Sequence, residues 1–208
     1  MKYKILIIDD DDKIISAFKR NLGRNFNIDF ARNGKDGIEL MSENEYAVVV
    51  SDYQMPGQDG ITILKKISEL SPRTIRILLT GHPDVQMAIR AVNEGQVYKF
   101  LTKPYSVKDL AIILRIALGK FKIEAERQNT EKQNEFLALH DPLTTLPNRV
   151  FFMNQLAKAI PIATRAKKIV AVLFIDLDRF KQVNDTLGHE TGDLLLIEVS
   201  RILKGSVR

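Results

Sequence analysis

The chain has 208 residues, of which 45% are hydrophobic and 27% are charged, and its formal net charge is +5. It contains no cysteine, which excludes disulfide frameworks, thiol catalysis and zinc–thiolate sites. No apolar run approaches the roughly 20 residues needed to cross a bilayer, and no signal-peptide pattern opens the chain, so we expect a cytoplasmic protein. The basic residues are not clustered, so the sequence gives no clear indication of a nucleic-acid-binding surface.

Residues 1–118 alternate between two sequence patterns. Short apolar runs predict strands at Lys4–Ile8, Asn27–Phe30, Ala47–Ser51, Ile75–Thr80 and Val97–Leu101. Apolar residues at helical spacing predict helices near Lys13–Leu22, Lys35–Met41, Ile61–Leu70, Asp84–Asn93 and Val107–Leu118. Five successive strand–helix units predict an α/β fold, a five-stranded doubly wound parallel sheet with helices on both faces.

Residues 119–139 predict a helical linker that continues the preceding helix. The stretch 120–134 has no proline or glycine, is rich in strong helix formers and has few apolar residues. A coiled-coil seam and a plain solvated helix both fit this sequence. The candidate seam residues are Phe121, Ala125, Phe136 and Leu139.

Residues 140–208 predict a second domain of mixed α and β structure. A stretch with two prolines runs from His140 to Arg149, and a helix pattern follows it to about Ala159. The apolar run from Ile169 to Asp176 predicts a buried strand. A last helix is predicted over Asp193–Leu203.

Side chains that can bind metal or phosphate follow the predicted strands of the first domain. They are Asp9 and Asp10 after the first strand, Asp52 after the third, Thr80 at the end of the fourth and Lys103 just past the fifth. Because the carboxyl ends of parallel strands meet at one edge of a sheet, we expect these side chains to share a crevice. Asp10, Asp52 and the backbone carbonyl of Gln54 can hold Mg²⁺. Asp9 can act on the same ion through a water molecule.

The same residues suit a phosphoryl-transfer reaction. Asp52 can attack a phosphoryl donor, as carboxylates do when an aspartyl phosphate forms. Lys103 and Thr80 can then bind the phosphoryl oxygens. Each residue also has a simpler explanation: the run of acids at 9–12 can cap and begin a helix, and Asp52 can belong to a turn. Thr80 can likewise be a helix cap, and Lys103 can be a surface lysine.

Four short motifs contain these residues. They are Ile-Ile-Asp9-Asp10, Ser-Asp52-Tyr-Gln-Met-Pro-Gly, Leu-Leu-Thr80-Gly and Phe100-Leu-Thr-Lys103-Pro104. In this order they resemble a response-regulator receiver domain, and the resemblance covers residues 1–118. It implies a CheY-like fold, a Mg²⁺ cofactor and Asp52 as the phosphoacceptor. It also implies a sensor histidine kinase or a phosphotransfer protein as the partner that supplies the phosphoryl group.

The resemblance further implies a conformational switch. Phosphorylation of Asp52 draws Thr80 inward, and Phe100 turns into the space that Thr80 leaves. The face formed by the fourth and fifth predicted helices then rearranges, and a homodimer can form through this face and the linker helix. Phe100 can instead be simple core packing, with Tyr98 as the exposed aromatic side chain.

A second set of motifs lies in residues 140–208. They are Asp141-Pro-Leu-Thr-Thr-Leu-Pro-Asn-Arg149, Phe174-Ile-Asp176-Leu-Asp-Arg-Phe180-Lys-Gln-Val-Asn184-Asp185 and Gly188-His189-Glu-Thr-Gly192-Asp193. These stretches resemble the beginning of a GGDEF domain, the fold of diguanylate cyclases, with Thr145 in place of the usual glycine. The resemblance implies that Asp176 and the backbone carbonyl of Leu177 hold Mg²⁺ on bound GTP. It implies that Asn184 and Asp193 recognise guanine.

The second set also has a simpler explanation, a short strand–helix unit whose acids cap helices. The chain ends at Arg208, before any Gly-Gly-Asp/Glu-Glu-Phe signature. We therefore expect a GGDEF portion truncated before its signature loop, and we expect this 208-residue chain to be catalytically inactive.

These observations predict a phosphorylation-dependent response regulator of a two-component phosphorelay. Its receiver would control a diguanylate cyclase that condenses two GTP molecules into cyclic di-GMP. The alternative is a signalling module whose GGDEF segment is not a cyclase, and which instead binds GTP as a regulator or precedes a cyclic di-GMP phosphodiesterase domain.

Overall fold

The computed structural model describes residues 3–81 and 84–206. The chain divides into two compact units, Met1–Glu126 and Arg127–Arg208. In the first unit the strands are β1 (Lys4–Ile8), β2 (Asn27–Ala31), β3 (Val48–Asp52), β4 (Ile75–Thr80) and β5 (Lys99–Thr102). The helices that begin in this unit are α1 (Asp12–Leu22), α2 (Gly34–Glu43), α3 (Gly60–Leu70), α4 (Val85–Asn93) and α5 (Val107–Leu139). The strands form one parallel sheet in the order β2-β1-β3-β4-β5. The predicted doubly wound fold is therefore confirmed.

The sheet is stabilised by an apolar core on each of its faces. One cluster contains Phe18 of α1 and Leu114 of α5, and the other contains Leu64 of α3 and Met87 of α4. The central strands are covered on both sides, which explains why their sequences read as continuous apolar runs rather than as alternating ones.

Side-chain caps set the starts of four helices in this unit. Asp11, Asn33, Asp59 and Asp84 each accept a hydrogen bond from a backbone N–H in the first turn of α1, α2, α3 and α4 respectively. Such caps satisfy backbone donors that a helix leaves without an internal partner. Of the run of acids at 9–12, Asp11 is the cap of α1 and Asp12 is its first residue, so the explanation that these acids begin a helix holds for the last two of the four.

The order of the strands fixes where a ligand can bind. β1 and β3 are neighbours in the sheet. After β1 the chain crosses to β2 on one side of this pair, and after β3 it crosses to β4 on the other side. A crevice opens at such a point of divergence in doubly wound sheets. Asp9 directly follows β1, and Asp52 is the last residue of β3, so both carboxylates lie at this crevice.

Helix α5 is one continuous helix of 33 residues. Its residues just after 118 pack on the first unit: the ring of Phe121 lies edge-on to Tyr3 at 5.4 Å, and the guanidinium of Arg73 lies 5.8 Å from that ring. Lys120 lies 4.3 Å from the ring of Tyr98. Phe121, which we considered as a coiled-coil seam residue, therefore belongs to the packing of the first unit, whereas Ile123 is 68% exposed.

The described part of the second unit, up to residue 206, contains three further helices. They are α6 (Arg149–Arg165), α7 (Phe180–Leu187) and α8 (His189–Ser206). The strand predicted over Ile169–Asp176 is wrong for this structure, because the segment has no regular secondary structure and Phe174 is 90% exposed. A strand needs a hydrogen-bonded neighbour, and the described part of this unit contains no other strand.

Candidate phosphoryl-acceptor site

Three carboxylates meet at the carboxyl edge of the sheet. Oxygen atoms of Asp9, Asp10 and Asp52 all lie within 4.8 Å of one another, and within residues 3–81 and 84–206 no other group of this kind occurs. Asp9 and Asp52 are buried and Asp10 is exposed, so the cluster has one side open to solvent. The structure thus brings together the three acids that the sequence placed after two different strands.

Asp9 shows that this cluster suits a cation. Its Oδ1 accepts a hydrogen bond of 2.9 Å from the backbone N–H of Asp11, but its Oδ2 is buried and has no hydrogen-bond partner among the described residues. Burial is the main cause that raises the pKa of Asp9 to about 6; the charges of Asp52 and Asp10 act in the same direction, and the Asp11 N–H and Lys103 act against them. A buried carboxylate oxygen without a partner beside two more carboxylates is the donor set that a hard divalent cation prefers.

Asp52 is held by two donors. The backbone N–H of Tyr53 donates to Oδ1 of Asp52 at 3.0 Å, and Nζ of Lys103 lies 2.8 Å from the same oxygen. The side chain of Asp52 is only 10% exposed and that of Lys103 is 30% exposed, so their ion pair is largely shielded from water. Lys103 follows β5 and Asp52 ends β3, as expected for side chains that converge at one edge of the sheet.

Thr80 and Phe100 complete the predicted set. Thr80 ends β4, its backbone carbonyl accepts from the N–H of Lys103 at 2.7 Å, and its Oγ1 is buried without a partner among the described residues. Phe100 lies on β5 and is 41% exposed. Gln54 is an exposed residue of the loop after β3 and lines the same cleft as Asp10. The buried Thr80 hydroxyl is free to donate a hydrogen bond to an oxygen-rich group.

Two further residues lie at this site that the sequence motifs did not predict. Gly60 begins α3, and a Cβ atom there would lie 2.1 Å from the backbone carbonyl oxygen of Asp52. Tyr105 stacks on Phe18 at 6.4 Å, and burial and the charges of Asp9 and Asp52 raise the pKa of its hydroxyl. The only sequence signal for Gly60 is a glycine in the first helical position after the Asp59 cap.

The residues predicted in the second unit are placed differently. Asp176 is exposed in the segment without regular structure, and Leu177 is half-buried next to it. Asn184 lies on α7 against Gly192 of α8, and Asp193 is the next residue, exposed on α8. The structure therefore brings Asn184 close to the residue that precedes Asp193, and it places Asp176 in no carboxylate cluster of the described residues.

The family comparison agrees with this geometry. The model of the response regulator receiver domain matches residues 5–115, which is more than half of the chain. The chain belongs to the response regulator receiver family. The model described as diguanylate cyclase, GGDEF domain, matches residues 138–208, so the predicted order of a receiver followed by a GGDEF segment is confirmed.

Individual proteins are similar to parts of this chain. A signal receiver domain of an HD domain-containing protein from Pseudomonas fluorescens Pf-5 is 35% identical with a TM-score of 0.57, over 60% of this chain and 93% of that one. The diguanylate cyclase TpbB of Pseudomonas aeruginosa is 41% identical over 90 residues, which are 42% of this chain and 21% of TpbB. The bifunctional diguanylate cyclase/cyclic di-GMP phosphodiesterase MucR of the same species is 56% identical over 72 residues, 35% of this chain and 10% of MucR.

The chain thus spans about a fifth of TpbB and a tenth of MucR. No helix within residues 3–81 and 84–206 has the length and apolar character of a membrane span.

Proposed function

We propose that Asp52 accepts a phosphoryl group from a sensor histidine kinase or a phosphotransfer protein, and that this modification controls a diguanylate cyclase output. The observation that carries the proposal is the setting of Asp52, a buried carboxylate paired with Lys103 at 2.8 Å and grouped with Asp9 and Asp10. The similarity of residues 138–208 to the GGDEF family supports the output half of the proposal.

Each residue of the receiver site would have its own role in phosphoryl transfer. An oxygen of Asp52 forms the new bond to phosphorus while the bond from phosphorus to the donor histidine nitrogen breaks. Asp9, Asp10 and Asp52, with the backbone carbonyl of Gln54, would hold Mg²⁺, which when bound neutralises negative charge on the acids and the phosphoryl group. Lys103 can then pair with a phosphoryl oxygen, since its ammonium already lies at the acceptor carboxylate.

Thr80 would couple phosphorylation of Asp52 to a conformational change in the rest of the receiver. Its buried hydroxyl has no partner among the described residues and can donate to a phosphoryl oxygen. Movement of Thr80 toward Asp52 would leave room for Phe100, which is now 41% exposed. The outer face of α4 and α5 would change in consequence.

The same outer face supports a homodimer. Large apolar side chains are exposed there: Val85, Ile89 and Val92 on α4, and Ile112 and Ile116 on α5. Exposed apolar groups of this kind are typical of an interaction surface. Pairing of two receivers would bring two GGDEF segments together, and a cyclase that joins two GTP molecules needs two such sites.

MucR gives one reason to keep a second candidate. It is a bifunctional diguanylate cyclase/cyclic di-GMP phosphodiesterase, and it is 56% identical to this chain over 72 residues. Under this candidate the GGDEF segment precedes a phosphodiesterase domain, and Asp52 controls the breakdown of cyclic di-GMP instead of its synthesis.

Phosphorylation itself is tested with a small phosphodonor. We expect the chain incubated with acetyl phosphate and Mg²⁺ to gain one phosphoryl group in an intact-mass measurement, and Asp52→Asn to gain none. The exposed Asp36 provides the matched control, because it belongs to no carboxylate cluster of the described residues, and Asp36→Asn should label fully. Asp10→Asn should weaken Mg²⁺ binding, because it removes a charged ligand. Full labelling of Asp52→Asn would contradict the assignment.

A further inference from the structure

The start of helix α3 lies directly against the end of strand β3. Gly60 is the first residue of α3, it is buried, and its backbone N–H donates to the carbonyl of Tyr53 at 2.8 Å. A Cβ atom built on Gly60 would lie 2.1 Å from the carbonyl oxygen and 3.0 Å from the carbonyl carbon of Asp52. The helix therefore touches the backbone of the residue that we propose as the phosphoacceptor.

Rotation of a side chain cannot relieve a collision at this point, because the two nearest atoms belong to the backbone of Asp52. Asp52 ends β3, which is the middle strand of the sheet and pairs with β1 and β4. Van der Waals contact ordinarily begins at 3.4 Å. A Cβ atom on Gly60 would thus force the start of α3 or the end of β3 to move by about 1 Å. Such a movement would shift the Asp52 carboxylate relative to Lys103, whose Nζ lies 2.8 Å away.

We infer that Gly60 is a positioning residue for phosphoryl transfer, because its missing side chain lets α3 close on the Asp52 carbonyl and fixes the acceptor carboxylate within its cluster. This inference rests on the proposed role of Asp52 as phosphoacceptor. Gly60 acts only through the backbone of Asp52. A displacement of about 1 Å can slow a reaction by about a hundredfold, so a small movement of the acceptor has a large effect on the rate.

A merely structural role for Gly60 makes a different prediction. If the glycine only allows α3 to pack, its replacement lowers stability but leaves the phosphorylation rate of the folded protein unchanged. Gly34 gives the matched control, because a Cβ atom there would lie 2.5 Å from Cδ1 of Ile63, which belongs to the same helix α3. Gly34→Ala thus disturbs α3 through a side chain that can move, and not through the backbone of Asp52. Gly119 is a second control, since a Cβ atom there meets nothing within 4 Å.

The experiment measures how fast acetyl phosphate, with saturating Mg²⁺, phosphorylates the 208-residue chain. Intact mass is followed over time for the unmodified chain and for variants that are folded by circular dichroism. We expect Gly60→Ala to be phosphorylated about tenfold more slowly than the unmodified chain. Gly34→Ala and Gly119→Ala should keep the unmodified rate. The Mg²⁺ affinity of Gly60→Ala should also fall, because the carboxylate of Asp52 is one of the proposed ligands.

Asp59 provides a second test that introduces no collision. Its Oδ1 accepts from the N–H of Thr62 at 2.8 Å and so caps α3 just before Gly60, and its Oδ2 lies 3.3 Å from Nη2 of Arg90. Asp59→Asn and Asp59→Ala both remove the charge that pairs with Arg90, but only the alanine removes the cap. Because a loosened first turn holds the Asp52 carbonyl less firmly, we expect Asp59→Ala to be phosphorylated about threefold more slowly than Asp59→Asn.

The outcomes separate this inference from the proposed function. An unmodified chain that gains no phosphoryl group at Asp52 would reject the proposed function, and the inference with it. An unmodified chain that is phosphorylated, together with a folded Gly60→Ala variant that reacts at the same rate, would overturn the inference and leave the phosphoacceptor in place. Equal slowing by Gly60→Ala and Gly34→Ala would also overturn it. If Gly60→Ala does not fold, the Asp59 pair decides: equal rates for Asp59→Ala and Asp59→Asn would overturn the inference.

Discussion

Thr145 adopts a backbone conformation that favours glycine. Its φ is 55°, in the left-handed region, which costs a β-branched residue about 1–2 kcal/mol relative to glycine. Its hydroxyl accepts a hydrogen bond from Lys204, but both residues are largely accessible to water, so this bond compensates little. This is the position at which the sequence departs from the glycine of the GGDEF pattern.

Replacement of Thr145 by glycine should therefore stabilise the second unit. We expect Thr145→Gly to raise its free energy of unfolding in urea by about 1 kcal/mol. Thr144→Gly is the matched control and should lower stability, because the Thr144 hydroxyl donates to Asp141 at 2.8 Å. Equal effects of the two changes would show that the backbone of Thr145 carries no strain.

Residues of the receiver site differ in how far the sequence could predict them. Asp9, Asp52 and Lys103 were predictable because strand ends converge in any parallel sheet, so position along the chain implies position in space. Gly60 and Tyr105 were not. The role of Gly60 depends on how closely the start of α3 approaches the backbone carbonyl of Asp52. The role of Tyr105 depends on which aromatic ring packs beside the acids. Neither can be read from local sequence.

At the scale of elements, helix α5 extends the receiver beyond the residue where the linker was expected to begin. Phe121 packs on Tyr3 and Arg73, whereas Ile123 on the same helix is 68% exposed. The first turns after residue 118 are thus part of the first unit's packing.

A pair of alanine substitutions tests this packing. We expect Phe121→Ala to lower the free energy of unfolding of the first unit by about 2 kcal/mol, because a half-buried aromatic ring leaves its contacts. Ile123→Ala should change it by less than about 0.5 kcal/mol, since its side chain is mostly in water. Thermal or urea unfolding followed by circular dichroism measures both. Similar losses for the two variants would mean that Phe121 makes no specific contact.

The continuity of α5 also bears on signalling. If the helix transmits the state of the receiver, insertion of two alanines after Gln128 should rotate the following residues by roughly 200°. We expect phosphorylation to lose control of cyclic di-GMP synthesis in a protein that carries this chain with a complete GGDEF domain, while Asp52 still labels. A seven-residue insertion adds about two turns and should restore control. Normal control after the two-residue insertion would mean that α5 is only a tether.

The strand predicted at Ile169–Asp176 shows where an element cannot be predicted from its own residues. The segment has the apolar sequence of a buried strand, yet Leu173 is 84% exposed and Phe174 is 90% exposed. Apolar character indicates that a segment is suited to burial, but a strand forms only with a partner, and the described residues of the second unit offer none.

At the scale of the whole molecule, the two units differ in how completely their sites are built. The receiver has two apolar cores, and three carboxylates are grouped at one edge of its sheet. In the second unit the buried residues are few, and Asp176 is exposed outside any carboxylate cluster of the described residues. We accordingly expect the 208-residue chain to make no cyclic di-GMP from GTP and Mg²⁺.

The central claim is that the phosphorylation state of Asp52 sets the cyclic di-GMP output. The most direct test measures cyclic di-GMP formed from GTP and Mg²⁺, with and without acetyl phosphate, by a protein that carries this chain with a complete GGDEF domain. We expect the phosphodonor to raise synthesis by the unmodified protein, because paired receivers bring two GTP sites together, and to leave Asp52→Asn unchanged. An Asp52→Asn variant that responds to the phosphodonor as the unmodified protein does would contradict the claim.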